Sequence, residues 1–196
     1  MSRINVDKIT GATGTASGAP ITLSGDTATL SGTGVTFPSG HIISFATGTL
    51  TRSSDLTISD GTDYHLTDLS CDLVTTSTSN KIVVQYIIPD IYNLNSASNG
   101  VHCGVRYNVG TGAFDNSAAQ TLGAKSYPIS YIGYQGGSYS AALTTAVVMV
   151  TATVPTVNTL RLYPILNGVG GGVHIFDNAS NSTLDEASII AYEIKQ

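Results

Sequence analysis

Charged side chains are scarce in this chain, at 11% of its 196 residues, against roughly 25% in ordinary globular proteins. Only two acidic residues are glutamates and only four residues are lysines, so the charged residues that favour helices are nearly missing and a helical fold is disfavoured. The eight basic residues are scattered and the net charge is −5. A patch able to neutralise several phosphates is therefore not predicted, and nucleic acid is not expected as a partner.

Long apolar runs are also missing. The longest, Ala146–Val150, has the length of a strand, whereas a membrane-spanning helix needs about 20 apolar residues. The N-terminus lacks the charged-then-apolar pattern of a signal peptide. We therefore expect no membrane partner.

Cysteine occurs only twice, at Cys71 and Cys103, and neither belongs to a C-x-x-C pair. This spacing gives little support to a zinc site. Without a secretion signal, two free, buried thiols are favoured over a disulfide, but the sequence leaves the pairing open.

What the chain has in quantity is residues that suit strands and turns. Turn signals such as Asp60-Gly61, Asn99-Gly100 and Asn167-Gly168 separate short strand-like segments. No segment keeps a helical period over ten residues, and only residues 117–122 have room for a helical turn. Strands are predicted at 41–51, 56–59, 64–75, 81–89, 101–109, 130–134, 143–153, 158–166, 173–177 and 188–195. Without a βαβ rhythm, they predict an all-β fold, an antiparallel jelly-roll sandwich over residues 36–196.

Residues 1–35 differ from this body. Glycines interrupt every potential element, and the loose alternation of Ile21, Leu23, Ala28 and Leu30 suggests one or two short strands. The segment is too small and polar to build a core. It predicts an extended N-terminal arm that gains its order from contacts with neighbours, with a disordered tail as the alternative.

The sequence offers little for chemistry. His41, His65, His102 and His174 have no spacing that places a zinc pair on one element. No G-x-S-x-G elbow is present, and nothing in the pattern selects a pair of carboxylates. We expect no catalytic residue, no cofactor and no metal site, and so a protein that is not an enzyme.

Two clusters are open to more than one interpretation. Five aspartates without an intervening Lys or Arg are candidate calcium ligands, but a solvated face or Asx turns fit better because the D-x-D-x-D-G register is missing. Four tyrosines near Gly136 and Gly137 suit a contact surface for a receptor glycan or a neighbouring subunit, although packing in the core and at subunit interfaces is favoured. The residues are Asp55, Asp60, Asp63, Asp68, Asp72, Tyr127, Tyr131, Tyr134 and Tyr139.

Three stretches carry a family resemblance. They are Ile4, Val6, Asp7 and Ile9, the run Thr36–Ile43, and the run Thr78–Val84. Together they resemble the N-terminal parts of small virion proteins from tailed phages, especially phages of marine bacteria. The resemblance implies a virion component on the capsid exterior, assembled in the bacterial cytoplasm. Its arm would attach to the major capsid protein or another virion protein through Ile4, Val6, Asp7 and Ile9.

The body resembles trimeric jelly rolls of the tumour-necrosis-factor and C1q type in the number and spacing of its strands. Its final strand, residues 187–194, is apolar on both faces. Such a strand is either central in its sheet or buried against a partner subunit. The resemblance implies a homotrimer with Ile189, Ile190, Tyr192 and Ile194 at the interface.

These features predict a capsid decoration (cement) protein or a short head fibre. The main alternative is a tail-fibre or receptor-binding knob, which is less favoured because the chain has no long shaft. A carbohydrate-binding module is a third alternative, and the absence of tryptophan for stacking on sugar rings counts against it.

Overall fold

The computed structural model describes residues 37–52, 54–93, 99–123, 127, 129–134, 144–170, 173–176 and 185–196, and strand segments at 8–9, 21–24 and 27–30. Residues 1–38 and 39–196 form two compact units. Within the described ranges there is no α-helix, and every strand pair is antiparallel. The predicted all-β fold is confirmed. In the same ranges, nothing helical is long and apolar enough to cross a membrane.

The N-terminal unit contains a small sheet of three strands, β1 (Lys8–Ile9), β2 (Ile21–Ser24) and β3 (Thr27–Leu30). β2 pairs with both neighbours, so that Ile21 lies opposite Ile9 on one side and Leu30 on the other. Of the predicted anchoring residues, Ile9 belongs to β1, whereas Ile4, Val6 and Asp7 lie outside the described residues.

The body consists of two sheets. Sheet I contains β4 (Ile42–Arg52), β5 (Leu56–Ile58), β8 (Lys81–Asn93), β12 (Thr144–Thr153), β14 (Val173–Ile175) and β15 (Asp185–Ile194). Sheet II contains β6 (Asp63–His65), β7 (Cys71–Val74), β9 (Asn99–Val109), β10 (Gln120–Thr121), β11 (Ile129–Tyr134) and β13 (Thr159–Val169).

The order of the long strands is that of a jelly roll. Sheet I runs β4–β15–β8–β12 and sheet II runs β7–β13–β9–β11. Along the chain, successive strands of this set lie in opposite sheets except β9 and β11, which are neighbours in sheet II. The last strand, β15, lies between β4 and β8 and is central. This explains why it is apolar on both faces, and the predicted jelly-roll sandwich is confirmed.

One detail of the predicted strands was wrong. The segment 64–75 is not one strand but two, β6 and β7, because Leu66 and Leu69 turn into the core and the amide of Leu66 donates to the carbonyl of Pro164 at 3.0 Å. The segment 117–122, which had room for a helical turn, contains the end of a turn at 116–118 followed by β10, in which Thr121 pairs with Arg106 of β9.

The core lies between the two sheets. It is built from alternate residues of the long strands, among them Val84, Tyr86, Val148, Val105 and Leu162, all fully buried. Tyr86 brings a hydroxyl into this core and donates it to the carbonyl of Gly104 at 3.1 Å. A buried polar group is thereby satisfied across the sandwich.

Glu193 is the one acidic side chain in the described core, with no exposed surface. Its carboxylate accepts hydrogen bonds from the amides of Thr76 and Ser77, the Thr76 hydroxyl and the Asn80 side-chain amide, at 2.7 to 3.2 Å. Hydrogen bonds to the Glu193 side chain therefore attach the loop between β7 and β8 to β15.

Candidate functional site: two outer faces of the sandwich

The outer face of sheet I is apolar and open. Strand alternation directs every second residue outward, and the register places these residues in rows across the four strands, such as Phe45–Tyr192–Val83–Thr151 and Thr47–Ile190–Gln85–Met149. We call this set the apolar face: Phe45, Thr47, Thr49, Val83, Gln85, Ile87, Val147, Met149, Thr151, Ser188, Ile190 and Tyr192.

Large apolar side chains on this face are exposed. Phe45 is 72% exposed, Met149 61%, Val147 55% and Ile190 38%. Among the twelve positions of the apolar face there is no charge, and the nearest charged residues on the same side of the sheet, Lys81 and Glu186, lie beyond its two ends. A contiguous, charge-free patch of this kind is typical of an interaction surface.

The residues predicted for a trimer interface fall on both sides of β15. Ile190, Tyr192 and Ile194 point outward, and the first two belong to the apolar face. Ile189 points the other way, is 1% exposed and packs in the core opposite Tyr86. Ile189 therefore contributes to the interior of the sandwich.

The outer face of sheet II is polar and contrasts with sheet I. Its residues form what we call the polar layer: Asp63, His65, His102, Arg106, Asn108, Tyr163 and Asn167. On the edge strand β6, Asp63 accepts hydrogen bonds from the Tyr127 hydroxyl and from Asn167, the latter at 2.8 Å. The Arg106 guanidinium lies 3.8 Å from the same carboxylate and also donates to the Thr121 hydroxyl.

These contacts shift the pKa values of Asp63 and Tyr127. Burial acts to raise the pKa of Asp63, but hydrogen bonds from Tyr127 and Asn167 and the positive charge of Arg106 outweigh it and leave the pKa below its usual value. Burial, followed by the hydrogen bond to Asp63, raises the pKa of Tyr127 to about 12. At neutral pH the layer thus holds an ionised Asp63 and a Tyr127 hydroxyl that keeps its proton.

Aromatic rings cover part of the polar layer. Phe114 meets the Tyr163 ring edge-on with centroids 5.2 Å apart, and Tyr127 lies 5.8 Å from the His102 ring. The Arg161 guanidinium stacks 5.0 Å from the Phe114 centroid while it holds Asp72 in a bidentate ion pair at 2.7 and 2.9 Å. The loop residue Phe114 is thereby fixed over sheet II.

The five aspartates that suggested calcium ligands are placed apart. Asp55 pairs with His174 at 3.3 Å, Asp68 with Arg52 at 4.0 Å, Asp63 with Arg106 and Asp72 with Arg161. Asp60 accepts from the amide of Gly170 at 3.2 Å. Over the part of the chain that the structure describes, no group of His, Cys, Asp or Glu could hold a metal ion.

The cysteines belong to the core and not to either face. Cys71 and Cys103 are buried, and neither forms a disulfide. Burial raises the pKa of each thiol to about 12, so both stay protonated and are poor nucleophiles.

Sequence reasoning considered Asp63, His65 and His102 separately, but it did not predict that they form one layer. The missed members lie on β9 and β13, strands far apart in sequence that pair directly in space: Arg106, Asn108, Tyr163 and Asn167. The alternation of polar Arg106 and Asn108 with apolar Val105 and Tyr107 was the available signal, since it shows that β9 has one polar face.

No family model and no curated protein matches this chain. Among solved structures, the CBM22-1 xylan-binding domain of Paenibacillus barcinonensis Xyn10C is 12% identical, with a TM-score of 0.28 over 82% of this chain and 99% of that domain. The structure of the infectious bursal disease virus Gx strain is 9% identical, with a TM-score of 0.34 over 89% of this chain and 41% of the viral one. Both superpose too loosely to bear on function, so the two faces of the sandwich are the basis for the proposals below.

Proposed function

We propose that this chain is a structural protein of a tailed-phage virion, a capsid decoration protein or short head fibre, that assembles as a homotrimer through the apolar face. The observation that carries this proposal is the exposed, charge-free outer surface of β4, β15, β8 and β12. Residues 1–35 serve as the attachment to the capsid, in line with the resemblance of Ile4, Val6, Asp7 and Ile9 to phage virion proteins.

The distribution of charge leaves the apolar face as the surface through which two copies of the chain can meet. Each copy carries a net charge of −5, so copies repel one another wherever their charged surfaces meet. The apolar face is where they approach without that cost. The same face is unsuited to nucleic acid, which needs basic side chains.

The size of the face also bears on its occupant. Its twelve positions form three rows across four strands, and strands about 4.8 Å apart with a rise of about 3.3 Å per residue make this about 400 Å². A standard protein interface buries about 800 Å² on each partner. Covering Phe45, Val147, Met149 and Ile190 would therefore supply about half of such an interface.

The test is the mass of the purified chain in solution, measured by light scattering after size exclusion. We expect three times the 20.2 kDa chain mass for the wild type. The double variant Met149→Asp, Ile190→Asp should be monomeric because it places charge at the centre of the apolar face. Val157→Asp is the matched control, since Val157 is 53% exposed but lies in the turn between β12 and β13, and it should remain trimeric.

A wild-type chain that is monomeric at micromolar concentration would contradict the trimer proposal. A double variant that is still trimeric would contradict it as well. The place on the virion is tested separately by the copy number in purified particles. A copy number comparable with that of the major capsid protein supports decoration. A copy number far below it would instead place the chain at the tail, as a receptor-binding knob.

A further inference from the structure

Five buried side-chain polar atoms have no hydrogen-bond partner among the side chains that the structure describes, and all five belong to the outer face of sheet II. They are His65 Nδ1, His102 Nδ1, Arg106 Nε, Asn108 Oδ1 and the Tyr163 hydroxyl. Tyr163 is the extreme case, with no exposed surface at all. Unpaired polar groups of this kind are rare in folded proteins and each calls for a physical reason.

The register brings these atoms close together. Tyr163 lies directly opposite Arg106, and Asn167 lies opposite His102, on the paired strands β13 and β9. On the other side of β13, Ile165 lies opposite His65, whose ring is 5.9 Å from that of Tyr163. Since neighbouring strands are about 4.8 Å apart, the unpaired atoms share one patch of sheet II.

Stability does not account for this concentration. A buried polar atom without a partner disfavours folding, and apolar residues of the same size would avoid the problem. The core between the sheets shows the contrast, because Tyr86 finds a partner there in the Gly104 carbonyl. Residues that disfavour folding and cluster in one patch are typical of a functional site.

The mixture of unpaired atoms restricts the ligand. Arg106 Nε can only donate a hydrogen bond, Asn108 Oδ1 can only accept one, and the Tyr163 hydroxyl can do both. Burial and the Arg106 charge lower the pKa of His65, so its ring is neutral at pH 7 and has one donor and one acceptor nitrogen. An anion would need donors alone, and a cation would need acceptors alone.

The charges in the polar layer also favour a neutral ligand. Asp63 and Arg106 lie 3.8 Å apart and compensate each other within the layer. Ligand hydroxyls, which donate and accept at once, match such a surface. The rings of Tyr127 and Phe114 add apolar surface of the kind that packs against the C–H face of a sugar. We infer that the polar layer is a binding site for a neutral, polyhydroxylated ligand, a sugar residue of an uncharged glycan.

For a ligand to reach the polar layer, the two aromatic side chains that lie over it must move. Tyr127 is held by its hydrogen bond to Asp63, and Phe114 rests on Tyr163 beneath Arg161. A ligand hydroxyl can replace the Tyr127 hydroxyl at the Asp63 carboxylate, so this bond is exchanged and not lost. Binding of a sugar would thus displace two side chains, Tyr127 and Phe114.

The experiment uses the full chain and saturation-transfer NMR. The probes are glucose, galactose, mannose, xylose and N-acetylglucosamine, with galacturonic acid and sialic acid as the charged alternative. We expect transfer to at least one neutral sugar, followed by calorimetric titration with an oligosaccharide of that sugar. Transfer to none of the neutral sugars, or to the acidic ones alone, would overturn the inference.

Tyr163→Phe separates binding from stability because it removes only the unpaired hydroxyl. We expect sugar affinity to fall about tenfold, the effect of one hydrogen bond to the ligand, while the melting temperature stays level or rises. Tyr86→Phe is the matched control, since its buried hydroxyl has a protein partner. That variant should lose melting temperature and keep its sugar affinity. Unchanged binding in Tyr163→Phe would also overturn the assignment.

Discussion

At the scale of single residues, Glu193 shows how one side chain can secure the end of the sandwich. It is fully buried on β15, and the groups that donate to it all belong to residues 76–80. Backbone amides of the loop supply some of the hydrogen bonds that water would otherwise make to the carboxylate. The position of the carboxylate and the conformation of the loop therefore depend on each other. A carboxylate that accepts from several amides replaces the water it has lost.

Glu193→Gln should therefore destabilise the fold. Even when the glutamine oxygen takes the place of Oε1, its NH2 group takes the place of Oε2 and faces the Thr76 amide, donor against donor. We expect a loss of about 2–3 kcal/mol in the free energy of unfolding, measured by urea denaturation. Glu186→Gln is the control on the same strand, since Glu186 is exposed, and should change stability by less than about 0.5 kcal/mol. Equal effects of the two variants would contradict the role given to Glu193.

At the scale of elements, β4 depends on one glycine. Gly48 faces the core, and a Cβ built on it would lie 2.0 Å from the carbonyl oxygen of Ser70, at the start of β7. Since this neighbour is backbone, a side chain at position 48 would push the two sheets apart. Because Gly48 has no side chain, β4 can lie close to the Ser70 backbone, directly before β7.

Gly48→Ala should accordingly cost about 3 kcal/mol or more of unfolding free energy, as overpacking against a fixed backbone does. Gly112→Ala is the matched control, because a Cβ there meets nothing within 4 Å, and its stability should change little or rise slightly. Thermal and urea denaturation of both variants measure the difference. A Gly48→Ala variant as stable as the wild type would show that the sheets can shift to make room.

Many strand positions could be predicted from the sequence because turn residues mark where a strand ends. Asp60-Gly61 separates β5 from β6. Asn99-Gly100 and Asn167-Gly168, also predicted as turns, instead lie within β9 and β13 where these two strands pair. What the pattern did not reveal is which strands pair. Asp63 and Asp72 find Arg106 and Arg161 only because β6 and β7 both lie beside β13, and β13 beside β9. The polar layer is a product of that long-range pairing.

At the scale of the whole molecule, the two outer faces divide the surface by chemistry. Sheet I presents the apolar face with Phe45, Met149 and Ile190, and sheet II presents the polar layer around Asp63 and Arg106. The two proposals therefore concern separate surfaces. Loss of the trimer would leave the sugar site intact, and loss of sugar binding would leave the trimer.

A chain that begins at residue 39 should fold as the full chain does, because residues 39–196 form their own compact unit. We expect the same melting temperature and the same number of subunits, but no binding to particles, since the proposed attachment lies within residues 1–35. Co-sedimentation with particles that lack this protein measures the loss, and the full chain is the positive control. If the shortened chain still bound, the attachment would lie in the body.

The position of β15 has a consequence for folding. It pairs with β4 on one side and β8 on the other, although both of those strands lie far earlier in the sequence. Pairing strands so distant in sequence closes a large loop, and the entropy of that loop is lost before the new contacts form. Sheet I is therefore completed late, and the body should fold slowly compared with a protein whose contacts are local.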